Sequence, residues 1–254
     1  MTRVVVVVQA RMGSTRLPGK VMLPAGNAPL LARMLERVTA AETPSEVVVA
    51  TTTAAEDEPI RALCRRLGVH CMSGHPTDLL ERHVMTARAA RADVVVKIPS
   101  DCPLIDPRVI DRVVSAWKLE RAHYVSNLHP QSYPDGNDVE VMPLAILEAA
   151  WREARLPHER EHTTPFVWQR PARFRLHNVA WETGLDLSAT HRLVLDYRED
   201  YELIRAVFDE LWTPSRPIFS LGEIVSLLEE RPALRARNAM HLGVSWMSLA
   251  GVAP

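Results

Sequence analysis

Residues 9–20 read Q-A-R-M-G-S-T-R-L-P-G-K and set three cations, Arg11, Arg16 and Lys20, among two glycines and two hydroxyls. That combination suits a polyphosphate. Glycine lets the backbone approach anionic oxygens with no Cβ in the way, successive N–H groups form an anion-binding concavity, and Arg and Lys neutralise charge. Gln9, Ala10, Gly13 and Ser14 are the neighbours expected at such a ligand. The stretch is not a P-loop, because Lys20 precedes Val21 rather than a hydroxyl residue, and no G-x-G-x-x-G occurs. A solvated basic turn is the alternative, since the surface is the usual place of Arg and Lys.

Carboxylates that could serve the same chemistry lie far downstream. Asp101 follows an apolar run ending at Ile98, with Pro103 stiffening the turn behind it. It reads as a Mg²⁺ ligand or a helix cap, although Asp106 is the better cap because it directly precedes Pro107. Asp196 ends a short apolar segment and reads as a second metal carboxylate or as the cap of a following helix. Asp138 and Glu140 share one face of an extended strand, turned either into a cleft or out to solvent. Asp135 belongs to Y-P-D-G-N, a turn by composition. His162 is expected at a helix N-terminus, where the dipole would keep it neutral and able to grip a hydroxyl; a structural role is the alternative. No H-E-x-x-H, zinc spacing or G-x-S-x-G is present.

The elements that must position these groups follow from periodicity. Residues 3–9 are β-branched without polar alternation, as in a strand buried on both faces of a parallel sheet. Helix-period segments at 29–41, 57–67 and 78–91 alternate with strands at 46–50, 69–72 and 93–98. A helix at 109–117 and a strand at 123–125 follow. Such alternation implies right-handed βαβ crossovers and ligands at the carboxyl ends of the strands. Beyond this the pattern weakens into strands at 138–142, 173–179 and 192–195 and helices at 144–155, 200–211 and 221–230. Boundaries are placed at 1–127 and 128–190 inside one domain of 1–233, with a C-terminal arm at 234–254.

Composition supports a folded, water-soluble protein: 254 residues, 47% hydrophobic and 24% charged. Thirty Lys+Arg against 31 Asp+Glu give a net charge of -1, so no global field draws the chain to nucleic acid or anionic lipid. The apolar run at 4–8 is too short to span a membrane. Three cysteines without finger spacing are expected as free thiols of a reducing cytoplasm.

The first loop resembles the A-R-x-G-S-x-R-x-P-x-K signature of the acylneuraminate and 3-deoxy-manno-octulosonate cytidylyltransferases, and more closely the SpsF-like spore coat polysaccharide branch. The likeness continues through Val49 to Thr53, Asp101 to Asp106, Tyr133 to Gly136, Glu159 to His162 and Leu195-Asp196. It implies an α/β, Rossmann-like nucleotide-diphospho-sugar transferase (GT-A-like) fold, with a mostly parallel sheet, flanking helices, a nucleotide-binding part at 1–127 and a smaller α+β acceptor and dimerisation lobe at 128–190. It further implies a homodimer using CTP, Mg²⁺ and a sugar-acid or related small acceptor. Arg11, Arg16 and Lys20 would act on the triphosphate, and Asp101 and Asp196 on the metal. Thr51, Thr52, Ser100 and Arg82 would lie near the nucleotide, Arg82 otherwise being an exposed partner of Asp78. Asp135, Asp138, Glu140 and His162 would meet the acceptor. Two departures stand out: Ser100 where glycine is common, and Tyr197-Arg198 in place of Thr-Pro after the second aspartate. A nucleotide-sugar-dependent glycosyltransferase and a non-catalytic nucleotide-binding protein are the alternatives, because fold does not fix function.

Overall fold

The computed structural model describes residues 2–244. The valines of β1 (Val4–Gln9) are buried, with Val4, Val6 and Val8 packed into one core and Val5 and Val7 into another on the opposite face. A long loop, a small hairpin of β2 (Pro24–Ala25) and β3 (Ala28–Pro29), and helix α1 (Leu30–Thr39) follow. The alternation continues with β4 (Glu46–Thr52), α2 (Glu58–Leu67), β5 (His70–Gly74), α3 (Leu79–Ala89), β6 (Val94–Pro99) and α4 (Pro107–Glu120). β1 lies parallel to β4 on one side and β6 on the other, so the loops leaving all three gather at one edge.

The next strands, β7 (Tyr124–Ser126), β8 (Glu140–Pro143) and β9 (Leu176–Asn178), extend the same sheet rather than building a second one. Its order is β5-β4-β1-β6-β8-β7-β9, with β8 antiparallel to both neighbours. The expected mostly parallel sheet flanked by helices is therefore present, and the part expected at 128–190 is continuous with it. Because β8 runs against β6, its first residue, Glu140, sits at the edge where the parallel strands end, in register with Lys97. Helices α5 (Leu144–Glu153), α6 (Pro157–His162) and α7 (Pro165–Trp168) lie between β8 and β9.

Residues 192–195 form no strand; they run extended through a single bridge between Arg192 and Asp135. α8 (Arg198–Leu211), α9 (Leu221–Glu230), α10 (Pro232–Arg235) and a 3-10 helix at Ala236–His241 follow. The start of the expected arm folds back on the chain: Leu234 and Asn238 are buried, and the Asn238 amide donates to Arg192 O at 3.0 Å and to Asp200 at 2.8 Å. Residues 245–254 of that arm lie outside the described residues. Among those described, no helix is long and apolar enough to cross a membrane.

One buried cation fixes the turn after β6. The Arg37 guanidinium of α1 donates to the carbonyls of Ile105 at 2.9 Å, Leu104 at 3.3 Å and Phe219 at 2.7 Å, and burial lowers its pKa to about 10. Asp106 caps α4 through Arg108 N at 2.9 Å and also accepts from Leu221 N at 2.6 Å, tying α9 to the same turn.

Candidate active site

The loop after β1 is shaped by one buried carboxylate. Asp57 accepts from Met12 N at 2.7 Å and from the hydroxyls of Thr51 and Thr52. The loop closes on itself where Gly19 N donates to Met12 O at 2.9 Å, with Gly19 at φ 68, a conformation natural to glycine. Backbone bonds Ala10 N to Ala50 O, 3.1 Å, and Ser100 N to Gln9 O, 3.1 Å, tie the loops beyond β1, β4 and β6 together.

These loops enclose a cavity of about 430 Å³ lined by Arg11, Ser14, Arg16, Lys20, Ser100 and Asp101, with Asp196 at its far side. Lys20 Nζ donates to Asp196 Oδ1 at 2.8 Å and to Leu195 O at 2.6 Å, and lies 3.7 Å from Asp101 Oδ2. Arg16 reaches the other oxygen of Asp196 at 2.8 Å. Burial alone would raise the pKa of Asp196, but the charge and hydrogen bond of Lys20, joined by Arg16, hold it below the usual range. Leu195 N donates to Asp101 O at 2.7 Å, which is how two aspartates distant in sequence come to share one cation.

A second chamber of about 220 Å³ adjoins the first, the two sharing Gln9, Arg16, Asp101, His162 and Asp196. Lys97 of β6 enters it and is ion-paired with Glu140, which also accepts from Tyr124 Oη at 2.6 Å. Burial opposes both charges, yet each stabilises the other: Lys97 is shifted up and Glu140 down. Asp135 and Asp138 line the same chamber. Burial, and then their neighbouring carboxylates, raise Asp135 to about 6 against the pull of Arg192, and raise Asp138 as well.

A family model described as cytidylyltransferase matches residues 5–227. The chain belongs to the cytidylyltransferase family. Over 237 residues it is 30% identical to the spore coat polysaccharide biosynthesis protein SpsF of Bacillus subtilis, covering 91% of this chain and 96% of that one. The structure of a cytidylyltransferase from Leptospira borgpetersenii matches with TM-score 0.86 and 31% identity, over 92% of this chain and 97% of that chain. A 3-deoxy-manno-octulosonate cytidylyltransferase of Anaeromyxobacter dehalogenans is 35% identical over 118 residues, 46% of this chain and 48% of that protein.

In this cytidylyltransferase Gln9, Ala10, Arg11, Ser14, Arg16, Lys20, Arg82, Ser100, Asp101, His162 and Asp196 line the first cavity, and His162, expected at the acceptor, also lines the second chamber with Asp135, Asp138 and Glu140. Thr51 and Thr52 do not line it; they are buried on Asp57 and position the loop through it. Gly13 is not among the lining residues either, and its near neighbour is the Glu56 carboxylate, 3.0 Å from where a Cβ would stand. Arg82 is not an exposed partner of Asp78: it is buried, donates to His75 O at 2.9 Å and is lowered to about 10 by burial and then by the charge of Arg11. Asp78 instead caps α3 and holds Arg160.

His162 sits at the C-terminus of α6, not at a helix N-terminus, because the helix begins at Pro157 and Thr163 breaks it with φ 75. It is kept neutral all the same: burial, and then the charge of Lys97, lower its pKa to about 4. The cap of α8 is not Asp196. Asp200 accepts from Asp196 N and Tyr197 N, both at 2.9 Å, leaving the Asp196 carboxylate to the cavity. Tyr197 and Arg198 therefore alter the turn without removing that carboxylate. Sequence reasoning overlooked Lys97, Trp168 and Arg192. A lysine inside the otherwise apolar β6 was the visible signal for the first.

Proposed function

We propose that the chain transfers CMP from CTP to the hydroxyl of a small acceptor with release of pyrophosphate, in the biosynthesis of a surface polysaccharide or related glycan. The observation that carries this reading is the convergence of Lys20 and Arg16 on Asp196 beside Asp101, at the boundary of two connected cavities. The triphosphate would lie over residues 11–20 with Arg11, Arg16 and Lys20 against its charge, and the acceptor would occupy the second chamber. The acceptor oxygen forms a bond to the α-phosphorus, the bond from that phosphorus to the bridging oxygen of the β-phosphate breaks, and its electron pair leaves with pyrophosphate. The hydroxyl proton passes to water. Positioning and charge stabilisation are the main contributions a protein makes to such a transfer.

Mg²⁺ fits the residues present. Asp101 and Asp196 offer hard carboxylate oxygens to a position that the Lys20 ammonium already marks as suited to a cation. Among the described residues no three His, Cys, Asp or Glu side chains converge on one point, so substrate phosphates and water would complete the shell. When bound, the ion would screen the phosphate oxygens and favour pyrophosphate as a leaving group. Arg82 lines the first cavity with a buried Nε that lacks a partner, and on this reading it would donate to a pyrimidine carbonyl.

The test is pyrophosphate release from CTP, UTP, ATP and GTP with acceptor candidates, together with transfer of α-phosphate label to the acceptor. CTP-dependent release with label on the acceptor supports the reading. Release of a nucleoside diphosphate from a sugar nucleotide, or binding of CTP without turnover for any acceptor, would replace it.

A further inference from the structure

Charge in the second chamber narrows the chemistry of what it receives. Five carboxylates line it, Asp101, Asp135, Asp138, Glu140 and Asp196, against two cations, Arg16 and Lys97. Both cations are engaged, Arg16 with Asp196 at 2.8 Å and Lys97 with Glu140. Arg192, just behind, forks onto Asp200 at 2.9 and 3.1 Å while touching Asp135 only at 3.3 Å. Among the described residues, no lysine or arginine of the chamber is left to pair with an incoming carboxylate.

Beside the neutral side chains of Gln131 and Thr164, the groups that are left include several hydrogen-bond acceptors. Asp138 receives no hydrogen bond or ion pair from any described side chain, and Asp135 receives only the long contact from Arg192. Gln9 Oε1, where the two cavities join, is buried with no donor. Trp168, stacked on His129 with centroids 4.4 Å apart, adds an aromatic surface to the same chamber. Two half-buried carboxylates that repel one another, beside an aromatic ring, are complementary to a cation carrying several N–H donors.

We propose that the acceptor is an amino sugar or amino polyol, whose protonated amine is held by Asp135 and Asp138 while a neighbouring hydroxyl faces the α-phosphate. This rests on the reading of the second chamber as the acceptor site. It departs from the sugar acid that the resemblance implied, because a carboxylate beside Asp135 and Asp138 would meet like charge. Asp101 and Asp196 are occupied by the loop cations and reserved for the metal; Asp135 and Asp138 are not.

Three probes on one skeleton isolate the charge: glucosamine, glucose and glucuronate, titrated calorimetrically into the full chain with and without CTP and Mg²⁺. The expected order is glucosamine tighter than glucose by at least tenfold, and glucuronate weakest. Asp138→Asn is expected to bring glucosamine within about threefold of glucose, with a CTP titration of the same variant reporting that it is folded. Binding of glucuronate or 3-deoxy-manno-octulosonate equal to or tighter than glucosamine overturns the proposal, as does the absence of any preference for glucosamine. CTP affinity is read in the same experiment, so loss of the nucleotide reading shows up separately from loss of the amine preference.

Discussion

Lys20 donates to Asp196 at 2.8 Å across 176 positions of sequence, and the same ammonium lies 3.7 Å from Asp101. Without ligand, the loop cations neutralise the carboxylates expected to hold the metal. A triphosphate bound over residues 11–20, as proposed, would compete with Asp196 for Lys20 and Arg16, and drawing the cations to the phosphates would free the carboxylate.

Metal binding is accordingly expected to be weak without nucleotide and to tighten with CTP, the two ligands helping each other by the same factor. Lys20→Ala should bind Mn²⁺ more tightly than the parent in the absence of nucleotide, while pyrophosphate release falls by about 10²–10³-fold, as when one charge-stabilising donor is removed. Mn²⁺ titration followed by electron paramagnetic resonance, alongside turnover, checks both halves. Unchanged metal affinity in the variant contradicts the competition.

Arg192 is 2% exposed and holds Asp200, which is 0% exposed, with two hydrogen bonds. Arg192→Met leaves that carboxylate buried without its cation, for which the expected loss is about 3–5 kcal/mol of stability. Urea unfolding measures it. Asp196 also loses the outermost of its three cationic neighbours, at 3.8 Å, so activity should fall in the fraction that remains folded.

Gly136 has φ 102, and a Cβ there would stand 2.5 Å from Leu193 C and 2.6 Å from Val194 N. Both are backbone atoms and cannot move aside cheaply. Gly136→Ala is expected to cost at least about 2 kcal/mol from strain and overpacking. The bonds beside it, Asp135 N to His191 O at 2.9 Å and Leu193 N to Asp135 O at 2.6 Å, set the position of Asp135. The acceptor KM should therefore rise more than the CTP KM, a difference visible in steady-state kinetics.

His83 is fully buried, and burial, offset only in part by its bond to Leu79 O, lowers its pKa to about 3; His162 is lowered to about 4. Both fall below the ordinary 6.5, so between about pH 4 and 6.5 the unfolded chain binds protons that the folded one does not. Stability is then full above pH 6.5 and declines as pH falls, with each histidine adding at most about 1.4 kcal/mol per pH unit to the slope. Asp135, raised to about 6, works in the opposite direction, since its proton favours the folded state at low pH. The difference between the parent and His83→Gln in urea midpoints from pH 4 to 7 isolates the histidine: the variant should show the shallower slope, and parallel curves would refute it.

Local signals made much of this protein legible. A run of valines can only be satisfied by burial on both faces, so β1 and the parallel sheet around it follow from the sequence. The spacing of Arg11, Gly13, Ser14, Arg16 and Lys20 marks a candidate anion loop, because glycines admit close approach of the backbone and the cations offset negative charge. Asp101 and Asp106 divide into cavity group and cap by their distance from Pro107, and the structure bears this out with Asp106 on Arg108 N.

Tertiary structure alone decided the pairings. Whether Asp196 or Asp200 caps α8 is set by which carboxylate can reach Tyr197 N once Lys20 has arrived from the far end of the chain, and no local pattern carries that. Thr51 and Thr52 look like ligand groups at a strand end until Asp57 folds under them. Lys97 is an anomaly in β6 until the antiparallel β8 sets Glu140 opposite it in register. The direction of α6, and with it the end at which His162 sits, depends on Pro157 starting the helix and Thr163 breaking it. Burial, too, is a property of the assembled fold, and it is burial that makes His162 neutral and raises the pKa of Asp135 and Asp138.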